Sequence, residues 1–203
     1  TRMGAEVRLA ARRRGYYPRG GGIVEVTVAP RVLRRLRIDA PGRLLGVDGL
    51  AHVAHLPAHI AARMRSSALG RLGTRAAPAA CDTAVLQGEE AIGQGGALVI
   101  WARCEHTVLG AGRVAERGLR AEALGEGVAA ELAADLDSHA SLDAHAADQI
   151  LVYLALAGSE SSFTTRELTD HARTAMWLIE QFLPVRFATS REGPLTRIGV
   201  SPC

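Results

Sequence analysis

The chain has 203 residues, of which 48% are hydrophobic and 22% charged, and this globular composition excludes wholesale disorder and fibrous repeats. All 24 basic residues are arginine and the formal net charge is +3, so lysine nucleophiles, lysine Schiff bases and lysine-containing phosphate loops are excluded. The longest apolar stretch, 150–158, is far shorter than a membrane span of roughly 20 residues, so we expect no membrane contact. The cysteines form no C-x-x-C pair, so we expect neither a disulfide scaffold nor a structural zinc site and assign no metal-binding residues.

Alternating and apolar runs predict the strands. Residues 23–28 read I-V-E-V-T-V after a glycine run, which is the alternation of a strand. Further strands are predicted over 44–53, 85–87, 97–104 and 162–168, and the segments 185–189 and 196–200 form a closing hairpin. The Gly-, Ala- and Pro-rich stretch 70–80 is predicted to be a loop.

Helical spacing and capping residues predict four helices. Pro57 favours a first helical turn, and apolar residues follow it at helical spacing. The strongest period starts at Arg120, where apolar residues recur every fourth position up to Leu136. Two more helices are predicted over 144–157 and 169–182. Because strands and helices interleave, the fold class is α/β or α+β.

Positive charge is concentrated at the start of the chain. Residues 1–37 hold ten arginines and two glutamates, whereas the remaining residues carry 14 basic and 19 acidic groups. Such a block predicts contact with a polyanion, either phosphate or nucleic acid, on one face. The alternative is the solvated surface of a protein from a GC-rich genome.

The least ordinary stretch of this block is R-G-Y-Y-P-R-G-G-G at 14–22. Three successive glycines let the backbone approach a ligand closely. Arg14 and Arg19 can pair with phosphates, and Tyr17 can stack on a base. The alternative is a glycine-rich turn that only leads into the next strand.

The start of the helix predicted over 144–157 carries polar residues. His145, Ala146, Ala147, Asp148 and Gln149 form its first turn. Asp148 and Gln149 are favourable beside the helix dipole and can contact a sugar or a base edge. The alternative is that they are surface capping residues.

His171 lies in the first turn of the last predicted helix. Backbone N–H groups without intrahelical partners attract phosphate oxygens at such a position. The alternative is a structural histidine.

Taken together, these stretches resemble the RNA 3'-terminal phosphate cyclase family. The matching segments are R-G-Y-Y-P-R-G-G-G (14–22), A-E-R-G-L-R-A-E (115–122), D-A-H-A-A-D-Q (143–149), L-A-L-A-G (154–158), H-A-R-T-A (171–175) and E-Q-F-L-P-V (180–185). The resemblance covers the C-terminal part of a family member, and the chain does not begin with Met, so we expect these residues to be inactive alone.

The resemblance implies a fold of repeated βαβαββ units that form a large domain, which a smaller α/β insert interrupts. Residues 1–36 and 139–203 would belong to the large domain, and residues 37–138 to the insert.

The resemblance also implies a function in RNA processing. The family converts an RNA 3'-terminal phosphate to a 2',3'-cyclic phosphodiester in an ATP-dependent, ligase-type reaction with Mg²⁺ or Mn²⁺, through a covalent histidine–AMP, in the cytoplasm. His171 falls on the nucleophile position and 145–149 on the ATP-binding segment, so RNA 3' ends and ATP are the expected partners. The residues support this independently, because a phosphoramidate-forming nucleophile is lysine or histidine and lysine is absent.

One position departs from the family pattern. The usual H-x-x-T-N ends here as Thr174-Ala175. This departure keeps open a non-catalytic, cyclase-like RNA-binding factor of ribosome biogenesis. A further alternative is an α/β module that binds RNA within a larger assembly.

Overall fold

Three sheets and four helices make up the described part of the chain, residues 2–76 and 78–203 of a computed structural model. The strands are β1 (Glu6–Gly15), β2 (Ile23–Ala29), β3 (Arg37–Ile38), β4 (Leu44–Ala54), β5 (Ala79–Leu86), β6 (Ala91–Ile92), β7 (Gly95–Cys104), β8 (Val108–Val114), β9 (Ser161–Thr165), β10 (Val185–Glu192) and β11 (Leu195–Pro202). The helices are α1 (Ala58–Leu72), α2 (Ala121–Ser138), α3 (Ala144–Leu156) and α4 (Asp170–Phe182). Together they give the mixed α/β class that the sequence predicts.

The middle sheet has the strand order β5-β4-β7-β8. Strands β4 and β5 are parallel and joined by α1, whereas β7 and β8 run antiparallel to their neighbours. Helices α1 and α2 cover one face, where Met64, Leu98 and Leu124 are almost wholly buried. The four-residue period of α2 therefore marks its buried stripe, as the sequence predicts.

The C-terminal sheet has the order β10-β11-β9-β3. Strands β3 and β9 are parallel, and the other neighbours are antiparallel. Helices α3 and α4 pack against it over a core that includes Phe163, Leu151 and Ile198. Its elements follow the order β3, α3, β9, α4, β10, β11, which is one βαβαββ unit with the middle sheet inserted after β3.

The N-terminal ribbon is the antiparallel pair β1 and β2, which β6 extends at the end of β1. Cross-strand partners include Val7 with Val28 and Leu9 with Val26. These side chains share one face of the ribbon, and each of them is 47% exposed or more. An apolar stripe therefore faces solvent along the ribbon.

The structure corrects the sequence predictions in two places. The segment 70–80 is not one loop, since α1 continues to Leu72, a 3-10 turn follows at Gly73–Ala76, and β5 begins at Ala79; residue 77 lies outside the described residues. The strand predicted at 85–87 is only the end of β5, which pairs with β4 along its whole length. Strands β1, β3, β6 and β8 were not predicted. The boundaries proposed at 36/37 and 138/139 remain predictions.

No helix in the described ranges is long and apolar enough to cross a membrane.

Candidate active site

The start of α4 is fixed by a side-chain cap. The Thr169 hydroxyl accepts a hydrogen bond from the Ala172 N–H at 3.0 Å. Asp170 and His171 follow as the first two helical residues, and His171 is exposed. Their N–H groups precede the intrahelical ladder and point toward the helix entrance, which is a favourable place for an anion.

A second hydrogen bond joins this cap to α3. The Thr169 hydroxyl donates to Asp148 Oδ1 at 2.6 Å, and both residues are partly buried. One threonine therefore accepts a hydrogen bond from its own helix and donates one to the neighbouring helix. The segment at 145–149 and the turn that carries His171 meet through this contact, which the sequence did not predict.

The start of α3 is held against the middle sheet. Asp143 is 6% exposed; its Oδ1 accepts from the Ala146 N–H at 2.8 Å and its Oδ2 from the Gly110 N–H at 3.0 Å. The first bond caps α3 and the second ties the cap to β8. His145 is exposed, with Nε2 3.4 Å from Glu131 Oε1 on α2.

An ion pair with one buried partner supports the segment that leads into α4. Arg166 Nε donates to Asp135 Oδ1 at 2.9 Å, and the Asp135 side chain is 2% exposed. Burial raises the pKa of the Asp135 carboxyl, and the Arg166 guanidinium opposes that rise. The pair connects α2 to the loop between β9 and Thr169. Neither residue was singled out from the sequence, because nothing local distinguishes them from a solvated pair.

A cavity of about 750 Å³ lies on the other side of the 145–149 segment. Ala146 and Gln149 contribute to its wall, and most of the remaining lining is apolar. Its volume is that of a small-molecule site. Neither His171 nor any other residue of α4 lines it, so the apolar cavity is separate from the helix start that can bind an anion.

The predicted RNA-binding residues lie at the end of β1, which includes Arg14, and on the turn that follows it, which carries Tyr17 and Arg19. Arg14 pairs with Ala91 of β6, Tyr17 is 96% exposed, and the Arg19 side chain lies within 4 Å of the Cβ position of Gly93. Within residues 2–76 and 78–203, neither arginine has a carboxylate within 4.0 Å.

Backbone bonds fix this turn in place. The Gly20 N–H donates to the Tyr16 carbonyl at 2.9 Å, and the Tyr16 N–H to the Ile92 carbonyl at 3.3 Å. Gly20 and Gly21 have φ values of 62° and 75°, which glycine adopts without strain. The end of β1 and this turn therefore present two cations and an aromatic ring from a defined backbone.

The predicted site residues thus form two groups on different elements. Asp148 contacts Thr169, two residues before His171, at the α3–α4 junction, whereas Arg14, Tyr17 and Arg19 lie at the end of β1 and on the turn after it, beside β6.

Two further positions bear on the chemistry. Ala175 lies one turn after His171 and is half-buried against the C-terminal core. In the described ranges no group of three or more His, Cys, Asp or Glu is placed to hold a metal ion.

The chain is similar in sequence to proteins of one family. A family model described as RNA 3'-terminal phosphate cyclase matches residues 1–189. A protein of that name from Nitrosospira multiformis is 48% identical over 201 residues, and one from Pyrobaculum neutrophilum is 39% identical over 201 residues. These matches cover 98% and 96% of this chain but 57% and 56% of the relatives, so the chain spans little more than half their length.

Proposed function

The chain belongs to the RNA 3'-terminal phosphate cyclase family, and we propose that it takes part in the ATP-dependent conversion of an RNA 3'-terminal phosphate to a 2',3'-cyclic phosphodiester. His171 is the nucleophile, and 145–149 binds ATP. The observation that carries the proposal is the Thr169–Asp148 hydrogen bond of 2.6 Å, because it joins the two segments that must meet for nucleotidyl transfer.

The reaction has three steps. A ring nitrogen of His171 attacks the α-phosphorus of ATP, the bond to pyrophosphate breaks, and the imidazole proton leaves to solvent. An oxygen of the RNA 3'-phosphate then attacks the same phosphorus, which breaks the P–N bond and transfers AMP to the RNA end. The neighbouring 2'-hydroxyl finally attacks the RNA phosphorus, so the cyclic phosphodiester forms and AMP leaves.

Backbone and side-chain groups of α3 and α4 have distinct roles in these three reaction steps. Since the Ala172 N–H is bonded to Thr169, the N–H groups of Asp170 and His171 remain to bind α-phosphate oxygens as negative charge develops. Asp148 holds the cap and thereby sets the position of the His171 backbone.

Arg14, Arg19 and the Tyr17 ring bind the RNA strand. Phosphates pair with the two guanidinium groups and a base stacks on the exposed ring.

The described residues fit Mg²⁺ or Mn²⁺ only if the ion is bound together with ATP. Because the described residues include no three-ligand cluster, the ion would be held mainly by ATP phosphates with at most one or two carboxylates, as is common for Mg²⁺. When bound, it would neutralise charge on the triphosphate. The proposed partners of the protein are ATP and RNA 3' ends, and the proposed location of the reaction is the cytoplasm.

Transfer of label from α-labelled ATP tests the nucleophile. The measurement uses this chain and the same chain joined to the N-terminal part of the Nitrosospira relative. His171→Ala is expected to abolish labelling while the free energy of unfolding changes by about 1 kcal/mol or less, since the side chain is exposed. His59→Ala is the matched control, because His59 is the exposed second residue of α1 as His171 is of α4.

The adduct's chemistry provides a second criterion. A phosphoramidate is labile in acid and stable in base, unlike a mixed anhydride. Labelling that survives in His171→Ala would put the nucleophile elsewhere. RNA binding without labelling in either protein would favour the non-catalytic RNA-binding factor.

A further inference from the structure

Two buried polar atoms lie where the glycine-rich turn meets the middle sheet. Tyr16 is 8% exposed and His52 is 6% exposed. Tyr16 Oη and His52 Nδ1 have no hydrogen-bond partner among the described residues. A buried polar atom without a partner is costly, so native proteins satisfy such atoms with protein groups or ordered water.

The surroundings of the pair follow from strand geometry. Ala51 and Val53 of β4 face the α1–α2 core, so His52 projects from the opposite face of the sheet. The Tyr16 ring covers it, with ring centroids 6.3 Å apart and planes tilted by 44°. The ring packs so closely on β7 that a Cβ at Gly95 would come within 2.2 Å of it.

The environment favours the neutral form of both side chains. Burial raises the pKa of Tyr16 and lowers the pKa of His52; the Arg14 charge partly opposes the first shift and adds to the second. Neutral phenol and neutral imidazole each provide a donor or an acceptor, which matches the demands of one water molecule.

We propose that Tyr16 and His52 share one buried water molecule, and that this bridge makes them positioning residues that tether the RNA-binding turn to the middle sheet. Tyr17 directly follows Tyr16 and is thereby held in position to contact RNA. The middle sheet that holds the turn carries neither the predicted nucleophile nor the predicted ATP-binding residues. This inference rests on the proposed role of the turn in RNA binding.

A double-mutant cycle on RNA affinity tests the shared bridge. Tyr16→Phe and His52→Phe keep ring-sized side chains and remove the polar atoms. Each is expected to weaken binding of a 3'-phosphorylated oligoribonucleotide to the 203-residue chain by about fivefold, and the double variant by no more than either single one. Losses that multiply, or affinities that do not change, would overturn the proposal.

A measurement on the free chain keeps the test decisive if a variant fails to fold. In the unsubstituted chain we expect nuclear Overhauser contacts from one long-lived water to the Tyr16 ring and to His52 Hε1. The control Tyr153→Phe should show the same contacts, because Tyr153 lies on α3 and is 52% exposed. Absence of these contacts in the unsubstituted chain refutes the bridge. If the contacts are present but the unsubstituted chain does not bind RNA, the proposed RNA-binding role of the turn fails instead.

Discussion

Replacing Thr169 by alanine removes two hydrogen bonds at the junction of α3 and α4. The first is the N-cap bond from the Ala172 N–H at 3.0 Å, whose loss costs about 1 kcal/mol. The second is the 2.6 Å bond to Asp148 Oδ1; a bond to a charged group contributes about 1.5–3 kcal/mol, and the low end applies here because both residues are only partly buried. We therefore expect Thr169→Ala to lower the free energy of unfolding by about 2–3 kcal/mol.

Urea denaturation of the chain measures this loss, and it should shift the unfolding midpoint by about 1 M. Thr169→Ser is the matched control, because serine keeps both hydrogen bonds, and its midpoint should change little. Asp148→Ala combined with Thr169→Ala should show a coupling energy of about 1 kcal/mol. A loss below about 0.5 kcal/mol in Thr169→Ala, or no coupling to Asp148, would refute the assignment of this junction.

Three further changes test other parts of the molecule. Ala175→Asn restores the family's residue one turn after the proposed nucleophile, so labelling by ATP should rise or stay unchanged, and a fall would contradict the enzymatic role. Arg166→Met leaves Asp135 buried without its partner and should cost about 3 kcal/mol near neutral pH. The folded variant then binds the Asp135 proton more tightly than the unfolded chain does, so this cost should shrink as the pH falls toward 3.8, the ordinary pKa of an aspartate. A loss of stability that does not depend on pH in urea titrations would contradict this reasoning. The exposed apolar stripe of the ribbon is expected to cause self-association of the chain. Leu9→Thr with Val26→Thr makes this stripe polar, so sedimentation should show less self-association with little change in stability, and unchanged association would contradict the role of the stripe.

The helices could be predicted from the sequence because their signals are local. The four-residue period ending at Leu136 identifies the buried stripe of α2, and Thr169 caps α4 through a residue only three positions away. The class of the fold follows from the same signals. Strand β1 also carries a local signal, since apolar residues alternate at Val7, Leu9 and Ala11, but the arginine run 12–14 interrupts this alternation.

The tertiary structure alone decided which of these local features meet. Asp148 and Thr169 are 21 residues apart, Asp135 and Arg166 are 31 apart, and their contacts exist only because helices and strands from separate segments pack together. Tyr16 and His52 likewise meet only because the glycine-rich turn docks on the middle sheet. Propensity and periodicity describe a residue's own turn or strand, whereas burial beside a distant charge or ring depends on the pairing of the whole chain. The sequence by itself therefore determined the candidate residues and their helix starts, and the packing determined which of them form a junction.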